Sequence, residues 1–235
     1  MFRKAIADKI PDGSGFRLRG HEVKRIEAFS DAVFAFAVTL LIVSLEVPKS
    51  FEELMETMHG FFAFGVSFLL LMSIWYEQNI FFRRYGLDDL TTVILNCTLI
   101  FLVLFYVYPL KFLFTLLFSS TSTQSPLTMK AADSAKLMII YGAGYISIYL
   151  LFSFMHAHAF RKKIELELTP SEIFETKTKI YKNSILIVIG IISISVALAL
   201  RPEKAGLAGF VYFLIGPAFS FFFRYRGKRK RKLFG

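Results

Sequence analysis

The chain has 235 residues, of which 55% are hydrophobic and 28 are Phe, and its formal net charge is +10. A water-soluble fold of this size has too little interior to enclose so much apolar surface, and the same composition excludes a disordered chain. The single cysteine, Cys97, excludes a disulfide scaffold. The composition therefore predicts an integral membrane protein.

Six apolar stretches have the length of membrane spans, for which a helix needs roughly 20 residues. In chain order they are 29–45, 61–80, 90–108, 137–154, 185–200 and 205–223. They lack the polar–apolar alternation of barrel strands. The sequence predicts an all-α integral membrane protein with six transmembrane helices per subunit. Its predicted parts are a basic N-terminal arm (1–25), a six-helix domain (26–223) and a basic tail (224–235).

The basic residues predict the orientation, because Lys and Arg of short loops accumulate on the cytoplasmic side. Twenty-two of the 28 lie in the arm, the second and fourth connections and the tail. Both termini are therefore expected to be cytoplasmic, and the protein is expected to lie in the inner (plasma) membrane. Since topology explains the positive charge, we expect no nucleic-acid partner. Residues 224–232 follow a span directly, which favours anionic lipid as the partner of the tail.

The residues before the fifth apolar stretch have the pattern of a helix N-terminus. Thr169 can cap the helix, Pro170 suits its first turn, and Glu172 completes a capping box. These residues predict a cytoplasmic extension of the fifth helix.

Polar residues inside spans are costly and therefore indicate function. The densest group opens the first span with Arg25, Ser30 and Asp31. Trp75 and Gln78 at the end of the second span reach the same side, as does Asn96 in the third. A hydrogen-bond network between the cytoplasmic ends of these three spans would satisfy them. From the residues alone, a simple topology anchor, with Arg25 helping to neutralise Asp31, is an equal alternative.

The first span also carries a motif. The sequence from Arg25 through Phe29, Ser30 and Asp31 resembles the R-x-x-x-F-S-D signature of the transmembrane protein 175 family, in its prokaryotic, six-span form. The resemblance implies a potassium-permeable channel, a homotetramer with a pore lined by the first helix of each subunit. It implies that the signature, with Trp75 and Asn96, holds the first helices in place away from the ion path. The family often has His where this chain has Gln78.

One stripe of the first helix is a candidate pore lining. At 100° per residue, positions 32, 36, 39, 43 and 46 share a narrow face. They are Ala32, Phe36, Thr39, Val43 and Glu46. The resemblance assigns Phe36 to a hydrophobic constriction, Thr39 to a hydroxyl layer that binds K⁺ transiently, and Val43 to the next apolar layer. Glu46 carboxylates would concentrate cations at the outer mouth.

Other interpretations of the stripe and of the chain remain open at this stage. Phe36 and Val43 can instead face lipid or core, and Thr39 can bond to its own backbone. A secondary transporter would be expected to show inverted repeats, which are not evident, and a membrane enzyme would need convergent catalytic residues. No enzyme activity, cofactor or stable metal site is expected, and His156 and His158, two residues apart, point in different directions.

Overall fold

The computed structural model describes residues 16–20, 22–43, 50–51, 55, 58, 61–119 and 133–234. Within them the fold is built from long helices. They are α1 (Arg25–Val43), α2 (Phe61–Tyr85), α3 (Leu90–Ser119), α4 (Ser134–Arg161), α5 (Pro170–Ala199), a 3-10 segment (Pro202–Leu214) and α6 (Ile215–Phe234). The predicted all-helical architecture is confirmed.

Four stretches of the described residues are long and apolar enough to cross a membrane. They are Leu90–Val107, Ser134–Arg161, Pro170–Ala199 and Lys204–Phe234. The chain is therefore a multi-pass membrane protein, as predicted. The full count of six spans stays a prediction.

The helices pack in two groups that share α4. α1 packs against both α2 and α3, and α4 packs against α3 and α5, while the 3-10 segment and α6 lie on α5. Phe34, Phe81, Leu99 and Phe152, one from each of the first four helices, are at most 2% exposed and belong to one apolar core. This core fixes the inner face of α1.

Glycines allow α4 and α5 to approach closely. A Cβ on Gly142 would lie 2.4 Å from Cγ1 of Ile194, and a Cβ on Gly190 would lie 2.7 Å from Cγ1 of Ile146. Small residues at helix crossings permit this kind of backbone approach in membranes.

The fifth helix begins where the capping residues predicted. The Glu172 amide donates to Thr169 Oγ1 at 3.3 Å, and the Thr169 amide donates to Glu172 Oε2 at 2.9 Å. Pro170 occupies the first helical position, where its missing N–H has no helical acceptor. The predicted capping box and extension are confirmed.

The last span differs from the single helix predicted over 205–223. It consists of a 3-10 segment up to Leu214 and an α-helix that continues through the basic tail to Phe234. The ring of Pro217 would clash with the carbonyl four residues earlier in a continuous α-helix. α6 therefore begins only two residues before Pro217, at Ile215.

The described part of the predicted N-terminal arm packs onto the body. Phe16 is 1% exposed, and the amides of Arg19 and Gly20 both donate to the Arg83 carbonyl at 3.0 Å. Gly86 ends α2 with a φ of 58°, and a Cβ there would lie 3.0 Å from the Arg19 backbone. The entry into α1 is thus attached to the end of α2.

Candidate functional site

The first helix has two faces with opposite surroundings. Ser30, Phe34, Ala37 and Leu41, at spacings of four, three and four residues, are 0–2% exposed. This spacing places them on one side of a helix, which packs on α2 and α3. Ala32, Phe36 and Thr39, on the other side of α1, are exposed in the single subunit.

A buried chain of hydrogen bonds joins the inner face of α1 to α2 and α3. Asn96 Nδ2 donates to Ser30 Oγ at 2.8 Å, and Gln78 Nε2 donates to Asn96 Oδ1 at 2.7 Å. Ser30 Oγ in turn donates to the Ile26 carbonyl at 2.7 Å. All three side chains are at most 2% exposed. The network expected between spans one to three is present, and Gln78 is part of it.

Asp31 makes a second link between α1 and α2. Its Oδ1 accepts a 2.7 Å hydrogen bond from Trp75 Nε1. The sequence suggested Arg25 as the residue that neutralises Asp31, but within the described residues no ion pair joins them. Six residues separate the two on the helix, which places them about 120° apart around its axis and about 9 Å apart along it. Phe29, also in the motif, is 55% exposed.

The predicted stripe lies on the outer face of α1. Ala32 and Thr39 are exposed, and Phe36 is 57% exposed. Thr39 Oγ1 donates to the Phe36 carbonyl at 2.7 Å, so the bond to its own backbone that was considered as an alternative does form. That bond uses the hydroxyl hydrogen and leaves oxygen lone pairs available as acceptors. The Val43 side chain and all of Glu46 lie outside the described residues.

Glu77, the neighbour of Gln78 on α2, belongs to a separate cluster. Its carboxylate pairs with Lys179 at 2.9 Å and with Lys182, both on α5. One step along a helix turns the side chain by 100°, so Gln78 faces α3 while Glu77 faces α5.

Arg19 and Glu172 form a link that the sequence did not indicate. Arg19 Nη2 lies 2.8 Å from Glu172 Oε2, and the Arg17 amide donates to Oε1 of the same carboxylate at 2.8 Å. Burial opposes ionisation of Glu172, but the hydrogen bonds from Arg19, Thr169 and Arg17 outweigh it and hold its pKa at about 2. Because the folded-state pKa is below the ordinary value of 4.5, this link stabilises the fold at neutral pH. Its contribution is lost as the pH falls from about 4.5 towards 2.

The two histidines have separate partners. His156 is buried and its Nδ1 lies 2.8 Å from the Phe152 carbonyl, whereas His158 Nε2 lies 2.8 Å from Asp89 Oδ2. Across the part of the chain that the structure describes, no group of three His, Cys, Asp or Glu side chains could hold a metal ion.

Comparison with known proteins matches a family over the first three helices and one relative over nearly the whole chain. Residues 25–109 match the family described as endosomal/lysosomal potassium channel TMEM175. A protein from Marivirga tractuosa named potassium channel is 37% identical over 98% of both chains. A second potassium channel, from Chamaesiphon minutus, is 28% identical over 59% of this chain and 66% of its own length.

A solved structure extends the similarity to the fold. The crystal structure of a variant of the potassium channel MtTMEM175, in complex with a nanobody–MBP fusion, gives a TM-score of 0.82 at 35% identity. The similarity covers 93% of this chain and 100% of that chain. The family and these relatives are potassium channels and not enzymes, which removes the enzyme and transporter alternatives. The chain belongs to the TMEM175 family of potassium channels.

Proposed function

We propose that four copies of this chain form a potassium channel whose pore is lined by the outer face of α1. The observation that carries the proposal is the exposed stripe of Ala32, Phe36 and Thr39 on a helix whose opposite face is fixed by buried contacts. A helix held on one side by its own subunit presents the other side to neighbouring copies around an axis.

Phe36 and Thr39 have complementary roles in this pore. Four Phe36 rings close a narrow path by steric block and by expelling water. Thr39 lies three residues further out, about 4.5 Å along the axis, and its oxygen replaces part of the hydration of a passing K⁺. Apolar layers can exclude ions but cannot choose between them, so Thr39 contributes the preference. Val43 then forms the next apolar layer and Glu46 the cation-attracting outer mouth.

The polar contacts to α2 and α3 position the first helix. Ser30, Asn96 and Gln78 hold its inner face, and Trp75 holds Asp31. Arg25 and Phe29, which are exposed in the single subunit, extend this positioning to the cytoplasmic membrane boundary and to neighbouring subunits. None of these side chains belongs to the proposed stripe, so their role is structural.

The topology that accompanies this proposal has six spans and both termini in the cytoplasm, in the plasma membrane. It is supported by the asymmetric distribution of Lys and Arg and by the four candidate spans among the described residues. With this orientation, Phe36 is nearer the cytoplasm than Thr39.

Removal of the Phe36 ring tests the constriction. Phe36→Ala widens the narrowest layer, so we expect a larger potassium flux in liposomes containing the purified protein, without any counter-ion requirement. The magnitude is measured as the initial rate of K⁺-driven fluorescence change per channel. An unchanged flux would mean that this stripe does not line the pore.

Thr39→Val tests the hydroxyl layer, since it keeps the side-chain shape and removes the oxygen. We expect the K⁺/Na⁺ permeability ratio to fall about tenfold if the four oxygens lost from a tetramer together favour K⁺ over Na⁺ by about 1.4 kcal/mol. Reversal potentials under bi-ionic K⁺ and Na⁺ measure the ratio. Thr98→Val is the matched control, because Thr98 is also exposed and bonds to its own helix at Ile94. Equal effects of the two variants would contradict the assignment.

A further inference from the structure

An open groove between α5 and α6 has apolar walls and a cationic mouth. Its volume is about 800 Å³. Apolar side chains line most of it, among them Ile185 and Val188 of α5, Leu214 at the end of the 3-10 segment, and Ala218 and Phe222 of α6. Tyr181, Tyr225, Arg226 and Arg229 line its other end.

The groove runs along α5 and α6, two helices that are expected to cross the membrane, so its charged end is expected at the membrane boundary. The fifteen steps from Leu214 to Arg229 rise about 22 Å at 1.5 Å per residue, which exceeds half of a ~30 Å hydrocarbon core. Tyrosines such as Tyr181 and Tyr225 are enriched at the headgroup level of membranes. The apolar part therefore lies at the depth of acyl chains and the arginines at the depth of phosphates.

Arg226 is held in place by contacts with α5, and these contacts also position the part of α6 that carries Arg229. It is 8% exposed, its guanidinium lies 3.8 Å from the centre of the Phe174 ring, and Nε donates to Thr178 Oγ1 at 3.0 Å. Its Nη2 donates to the Phe174 carbonyl at 3.0 Å. These contacts keep the basic segment helical and docked on α5.

Arg229 supplies a positive charge without a matching carboxylate. It lies one turn after Arg226, is exposed, and pairs with no carboxylate among the residues that the structure describes. The nearby Glu175 is engaged by Lys230 at 2.5 Å and Arg84 at 3.7 Å. Arg226 and Arg229 lie three residues apart on α6, on the same side of the helix, where the two cations repel each other. An anion at the mouth would relieve this repulsion.

We propose that the α5–α6 groove binds one phospholipid with an anionic headgroup, its acyl chain along the apolar walls and its phosphate on Arg229 and the edge of Arg226. This gives the predicted contact between the basic tail and anionic lipid a defined site. The cytoplasmic orientation of the tail decides only which leaflet of the membrane supplies this lipid. It does not depend on which helix lines the pore.

The test uses the purified full-length protein in neutral detergent and measures lipid binding by native mass spectrometry. The probes are phosphatidylglycerol and phosphatidylcholine with identical acyl chains, and inorganic phosphate. We expect one phosphatidylglycerol per chain, with roughly tenfold tighter binding than phosphatidylcholine. Equal binding of the two lipids, or displacement of the lipid by equimolar inorganic phosphate, would overturn the proposal.

Matched variants locate the site. Arg229→Gln should weaken phosphatidylglycerol binding about fivefold, while Arg231→Gln, which removes the same charge outside the groove, should change it less than twofold. Ala218→Trp fills the groove and should prevent binding of both lipids. Arg229 is exposed, so its variant remains informative if Ala218→Trp does not fold. Equal effects of the two arginine variants would contradict a built site.

A neighbouring subunit is the competing occupant of this groove. Ser184→Cys, made in a Cys97→Ser background, places one thiol on the α5 wall. If lipid occupies the groove, this thiol should give no disulfide-linked dimer under mild oxidation. Efficient inter-subunit cross-linking would show that a second copy of the chain covers the groove instead. Because neither measurement uses ion flux, failure of this proposal is distinguishable from failure of the pore assignment.

Discussion

The two faces of α1 differ although they alternate along the same 19 residues. On the inner face Phe34 is 2% exposed and Ser30 is fully buried, whereas on the outer face Phe36 is 57% exposed. Phe34 and Phe36 are two residues apart, so their side chains point about 160° apart around the helix axis. Phe therefore packs in the core at position 34 and lies on the subunit surface at position 36.

The difference also shows how a membrane helix acquires a specific orientation. Lipid tails are as apolar as Phe or Leu, so apolar contact alone does not select one face of α1 for the inside. The buried bonds among Ser30, Asn96 and Gln78 do select it, because these groups have no alternative partner in hydrocarbon. The outer face is then free for neighbouring subunits or the pore.

The largest expected effect comes from truncating the two phenylalanines in parallel. Phe34→Ala removes a ring from the core shared by α1 to α4 and should lower the free energy of unfolding by about 3–5 kcal/mol. Phe36→Ala removes an exposed ring and should change it by about 0.5 kcal/mol or less. Thermal unfolding in detergent, followed by tryptophan fluorescence of Trp75, compares them. Equal losses would show that the outer face is packed as tightly as the inner face.

A smaller effect is expected from the polar network. Asn96→Leu removes the partner of both Ser30 and Gln78 and should cost about 1–3 kcal/mol, because the Gln78 amide is left buried and unsatisfied. The double variant Asn96→Leu with Gln78→Leu should recover part of that loss, since both members of the pair are then apolar. Thr98→Val, on an exposed face of α3, is the control. A strictly additive double variant would contradict direct coupling.

The sequence predicted the network and the stripe for local reasons. Helical spacing puts Phe36 and Thr39 on one face, and the alternating direction of successive spans puts the start of the first, the end of the second and the start of the third on the same side of the membrane. Of the stripe, Ala32, Phe36 and Thr39 are exposed on α1, and its role as a pore lining stays a prediction. The polar partners Trp75 and Asn96 were recognisable because polar groups inside spans are rare.

Contacts between distant parts of the chain were not predictable in the same way. Arg19 and Glu172 are 153 residues apart, and Glu77 and Lys179 are 102 apart. Their pairing depends on which helix packs beside α2, and neither hydropathy nor charge distribution fixes that order. The 3-10 segment before Pro217 was missed because its residues are as apolar as those of an α-helix.

The smallest expected effect concerns the hydrogen bond between Asp31 on α1 and Trp75 on α2. Asp31→Ala removes the acceptor of the Trp75 indole and should cost about 1 kcal/mol in the subunit. Because Asp31 is exposed beside the outer face, we expect the loss to appear mainly as a lower yield of intact oligomer in size-exclusion chromatography. Asp31→Asn keeps an oxygen for Trp75 and removes the charge, so it separates the hydrogen bond from electrostatics. If Asp31→Ala is a monodisperse oligomer with altered K⁺/Na⁺ selectivity, Asp31 belongs to the ion path and the division of α1 into a positioning face and a pore face is wrong.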